Sequence, residues 1–122
     1  RSKTPATLQT LDRGLVENLD KLFDSVREYR VLTEHLEKAG PATRCNLLIT
    51  VGYRKPLEEV ERHAVQAART LKRTIPLVNG KALKSEQGLR RSALKEVQEI
   101  ALDIRVLFAL LVQAEASCNR HL

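Results

Sequence analysis

The chain has 122 residues, is 43% hydrophobic and 30% charged, and carries a formal net charge of +6. That size suits one domain (1–122) with a single ordinary core, and the balance excludes a disordered chain. Five Gly and four Pro punctuate a sequence dominated by Leu, Ala, Glu, Lys and Arg, so the composition reads as all-α. The longest uninterrupted apolar run, 106–112, is far too short to span a bilayer.

The chain opens at Arg1 and holds no Met, which reads as an excised domain or a processed product. No signal peptide is visible. Two cysteines, Cys45 and Cys118, make no disulfide framework, so the expectation is an intracellular, reducing setting with both thiols free.

The first predicted helix covers 6–39. Leu8, Leu15, Leu22, Tyr29 and Leu36 recur at heptad spacing, interleaved with Leu19, Val26 and Thr33, and these steps of four and three keep one stripe towards a partner helix. Arg13, Glu17, Asp20 and Asp24 fall on the opposite, solvated face. Gly40-Pro41 ends the helix, Gly being suited to a left-handed C-terminal position and Pro to the first turn of the next helix.

The segment 44–51, RCNLLITV, has the β-branched residues of a strand but no strand to pair with, so it reads as helix. Gly52 and Pro56 then interrupt the pattern. The favoured reading is one helix over 42–79, kinked near Pro56; a real turn at 52–56 is the alternative. From Leu57 the stripe is regular: Val60, Ala64, Ala67, Leu71, Ile75 and Val78 fall on one side, with Arg62, Gln66, Arg69 and Arg73 opposite. Pro76 and Asn79-Gly80 end this helix. The last helix spans 83–119, with Ser85 as its N-cap and Ala93, Val97, Ile100, Ile104, Leu107, Leu111, Ala114 and Cys118 as its core stripe. The expected architecture is an antiparallel bundle of three long helices, with a four-helix up-and-down bundle as the alternative. The plan is similar, in architecture alone, to the helical-bundle modules of cytoskeletal and adhesion adaptors.

Two surfaces stand out. Leu102, Val106, Ala109 and Leu110 lie on the last helix away from its core stripe, with Phe108 and Val112 widening the apolar girdle. A helix apolar all round must be covered all round, either at the centre of the fold or by a second copy or a partner helix. With three long helices, full enclosure is hard, so this face is the candidate partner or oligomer interface.

The second surface is basic. Arg62, Arg69, Lys72, Arg73, Lys81, Lys84, Arg90, Arg91 and Lys95 face a single acid within 62–95, Glu86, a local excess of eight positive charges. Arg69 and Arg73 have no acid three or four residues away, whereas Arg62 follows Glu58 and Glu59. Cations at the start of a helix also oppose its dipole. These nine form a candidate anion-binding patch for nucleic acid or another polyanion. Four aromatics leave no platform for stacking unpaired bases.

Cys45, Cys118, His35 and His121 would lie near one end of an up-down-up bundle, but His35 points off its core stripe, and no metal site or cofactor is expected. A Cys45–Cys118 disulfide would likewise need that topology. No catalytic motif or polar constellation occurs, and His63 reads as a boundary residue of the core stripe. The functional expectation is therefore a non-catalytic interaction or adaptor module that oligomerises or docks a protein through the apolar face. The alternative is a nucleic-acid accessory protein gripping phosphates through 62–95.

Overall fold

The computed structural model describes residues 3–78 and 84–121. Among them the chain forms four α-helices and no strand: α1 (Lys3–Lys38), α2 (Pro41–Asn46), α3 (Arg54–Thr74) and α4 (Lys84–His121). A π-helical turn, Leu47–Val51, continues α2, and a 3-10 turn, Ile75–Leu77, continues α3. The three long helices run up, down and up. Asp12, early in α1, meets Arg90, early in α4, while Tyr53 and Arg54 at the start of α3 meet Glu115 near the end of α4.

The middle helix is the spine of the bundle. Leu57, Val60, Ala64, Ala67 and Leu71 of α3 are buried, and α3 packs along both α1 and α4, which approach each other far less closely. Ala64 and Ala67 are small enough to let neighbouring helix axes come near. From α1 come Leu15, Leu22 and Leu36 of the predicted stripe, and from α4 Val97, Ile104 and Cys118. Leu32 and Ser25 are buried as well, outside that stripe. The Ser25 hydroxyl is satisfied by donating to the Lys21 carbonyl at 2.8 Å.

The expected kink near Pro56 is a full break a few residues earlier. Gly52 adopts φ 89° and ψ 158°, a region essentially restricted to glycine because any Cβ strains the backbone there. The Gly52 amide reaches back to the Leu47 carbonyl at 2.9 Å, closing the π turn. Pro56 lies in the first turn of α3, where an N–H would have no helical partner anyway. The four-helix alternative therefore gives the helix count, with α2 and its π turn as a short fourth element. Leu48 anchors this element in the core.

Gly40 does not take the left-handed position expected of it. It has φ −71° and ψ 171° and caps the start of α2. The exposed α1 carbonyls are met instead by Arg44, whose Nε and Nη2 donate to Leu36 O and Ala39 O at 3.0 and 3.1 Å. A second correction concerns the cysteines: Cys45 and Cys118 are disulfide-bonded, with Cα atoms 5.6 Å apart. The bond ties α2 to the end of α4. Because disulfides persist where the surroundings are oxidising, these cysteines do not point to a reducing compartment. No helix among the described residues is long and apolar enough to cross a membrane.

After Thr74 the chain tightens into the 3-10 turn, with Pro76 unable to continue α-helical hydrogen bonding. Gln87 Nε2 then donates to the Ile75 and Val78 carbonyls at 2.9 and 2.8 Å, fastening the end of that turn to α4. Ser85 falls inside the first turn of α4, not before it. The Asn79-Gly80 turn and Lys81 lie outside the described residues.

Candidate functional site

Because α3 is the helix enclosed on two sides, α4 is a flank of the bundle. Its Val97, Ile104 and Cys118 face inwards. Residues half a turn away must then face outwards at 100° per residue. Leu102, Val106 and Leu110 are 60, 55 and 56% exposed, and Ala109 is exposed beside them. Phe108 and Val112, by contrast, are half-buried and pack against the core. The apolar girdle thus resolves into an inward part that the fold covers and an outward strip that it leaves open.

The nine cations of 62–95 divide in a similar way. Arg90 is not a free charge. Its guanidinium donates to both carboxylate oxygens of Asp12 at 2.7 and 2.8 Å and lies 3.5 Å from Glu86. Only 16% of the side chain is exposed. The hydrogen bond with Asp12 raises the Arg90 pKa despite partial burial. This residue joins α4 to α1 and leaves the anion-binding set. Arg62 is also engaged, by Glu59, whose carboxyl its hydrogen bond holds below the ordinary range. Arg69, Lys72, Arg73, Lys84, Arg91 and Lys95 are exposed and have no ion pair among the described residues.

The two surfaces meet. Val65, Arg69 and Lys72 of α3 and Gln98, Leu102 and Arg105 of α4 line one groove along the outside of the α3–α4 seam. Arg105 bridges the seam to Glu61. Arg91 and Lys95 stand seven and three residues before Gln98 and so share its side of α4. Leu102 is therefore the point where the outward apolar strip enters a groove whose α3 wall carries two cations, Arg69 and Lys72, with no ion pair among the described residues.

Several residues that order this region have no sequence signature. Tyr53 is buried, and its hydroxyl donates to Glu115 Oε1 at 2.6 Å, which also accepts from Arg54 at 3.2 Å. The Arg54 guanidinium lies 5.3 Å from the Tyr53 ring centre and 5.5 Å from that of Phe108. Burial, and then the Glu115 hydrogen bond, raises the Tyr53 pKa. His63 is buried, with Nε2 3.3 Å from Glu59. A second apolar strip also escaped sequence reading, since Val16, Phe23 and Val31 of α1 are exposed.

Both thiols are in the disulfide, and no group of three His, Cys, Asp or Glu residues is placed to hold a metal among the described residues. A recess of about 690 Å³ between α2 and the end of α4 is lined by residues such as Leu48, Ile49 and Ala114, with no acid or histidine among the described residues that line it. What the arrangement offers is shape, apolar area and charge. No protein-family model, curated protein or solved structure matches this chain.

Proposed function

We propose that this protein is a non-catalytic interaction module that docks a partner helix or a second copy through the outward strip of α4. The observation that carries this reading is the row Leu102, Val106 and Leu110, three large apolar side chains each more than half exposed on one face of a single helix. Single exposed apolar residues are common on protein surfaces, but a continuous strip of them on one helix is a feature of contact surfaces. Full burial of a Leu or Val side chain is worth about 1.5–3 kcal/mol, so covering the exposed half of these three supplies roughly 1 kcal/mol each. Ala109 adds a small site between them at which a partner backbone can approach.

The test is the double variant Leu102→Glu with Leu110→Glu, measured by light scattering and by titration with amphipathic helical peptides. Loss of self-association or of peptide binding supports the reading. Retention of both at wild-type strength would sink it, as would their absence from the wild-type protein. A second reading, polyanion binding, is favoured by the six exposed cations that have no ion pair among the described residues. It predicts duplex DNA or RNA binding that weakens steeply with salt and loses slope with each Arg→Ala change.

A further inference from the structure

Resting on the docking reading above, we infer that the occupant of the α3–α4 groove is an acidic amphipathic helix. The apolar floor comes from Val65 and Leu102, and the strip continues through Val106. Arg69 and Lys72 stand on the α3 wall. Lys95 extends the basic rim along α4 and, like them, has no ion pair among the described residues. Arg105 is paired across the seam with Glu61, and exposed Glu99 and Asp103 stand three residues before and one after Leu102 on α4, so the groove's positive charge is that of Arg69 and Lys72 on the α3 wall.

An amphipathic helix laid along this seam would place its apolar residues on Leu102 and Val65. Its flanking acids would fall beside Arg69, Lys72 and Lys95. Charge selects among the possible occupants. A basic helix would bring like charges to Arg69 and Lys72 on the α3 wall. A nucleic-acid backbone would satisfy the cations but leave Leu102 and Val106 facing phosphate and water, with no gain from their burial. Only an occupant that is both acidic and apolar uses both features of the groove.

The experiment uses a fluorescein-labelled peptide of about three heptads with Leu on one face and Glu on the other, its counterpart with Lys replacing every Glu, and a duplex DNA. The acidic peptide is expected to bind the wild-type chain, and to bind about tenfold or more weakly after Arg69→Glu with Lys72→Glu. The basic peptide should bind at least about tenfold more weakly than the acidic one, and should gain affinity from the same charge reversal. Equal affinity for the two peptides, or acidic-peptide binding indifferent to the charge reversal, would overturn the inference. Tighter binding of DNA than of the acidic peptide would overturn it in favour of a phosphate partner.

Leu102→Gln separates this inference from the reading beneath it. If that change weakens binding while charge reversal does not, the docking face stands and the acidic helix falls. If charge reversal weakens binding while Leu102→Gln does not, both fall. All three positions are exposed, and matching circular dichroism melts confirm that the variants are folded.

Discussion

Removing the disulfide by Cys45→Ala with Cys118→Ala tests the topology and the packing of α2 together. The half-cystines are 73 residues apart in sequence, so the bond closes a loop through π turn, α3 and most of α4. In the chain-entropy account a crosslink over a loop of that size withholds about 4 kcal/mol of disorder from the unfolded chain. A domain of this length holds roughly 6–18 kcal/mol of net stability, so the loss is a large share of the total. With a urea slope of about 2 kcal/mol/M, the midpoint should fall by about 2 M. Alanine is the suitable replacement because Cys118 is buried and Cys45 is half-buried, and a serine hydroxyl at either site would need a partner. Reductant should lower the wild-type midpoint by a similar amount and leave the double variant unmoved. A loss below about 1 kcal/mol, or a reductant effect that persists in the variant, would mean that the crosslink does not restrict the unfolded chain in this way.

Gly52→Ala should cost about 1–3 kcal/mol, although nothing lies within 4 Å of the added Cβ, because the penalty is the positive φ itself; an unchanged thermal midpoint would contradict that. Arg90→Met should cost about 1–2 kcal/mol in urea titration, since it strands Asp12 in a partly exposed site and removes a bidentate pair between α1 and α4. Tyr53→Phe should cost about 1 kcal/mol at neutral pH through the lost hydrogen bond to Glu115. It should also flatten the alkaline limb. The folded state holds the phenol proton above its ordinary value of 10.0, so that contribution is complete below pH 10 and is lost as pH rises through the raised value. Equal alkaline losses in the two proteins would argue against the raised pKa.

Periodicity made the long helices readable. Leu15, Leu22 and Leu36 of α1, the Leu57–Leu71 side of α3, and Val97 and Ile104 of α4 are buried where their spacing put them, because a packed helix repeats its inward face every turn. The punctuation was harder to read. Gly40 and Gly52 have the same composition signal, yet only Gly52 takes positive φ; which of them turns the chain depends on Leu48 and Tyr53 finding burial on either side. The outward strip of α4 was also legible, as residues out of phase with a core stripe. The division of the basic segment was not. Arg90 is withdrawn by Asp12, 78 residues away, and no local pattern encodes so distant a partner. Arg62 was the readable exception, its acid lying one turn before it. The meeting of Leu102 with Arg69 and Lys72 depends on how α3 and α4 are rotated against each other, which spacing within either helix leaves open.

Whether the outward face of α4 docks a partner is tested by the affinity of the acidic amphipathic peptide for wild type and for Leu102→Glu with Leu110→Glu, under one buffer and salt condition. Covering the exposed strip at roughly 1 kcal/mol per side chain predicts that removing two of them weakens binding about tenfold or more. An affinity that stays at the wild-type value, with both proteins folded, would mean that the outward face of α4 is ordinary surface.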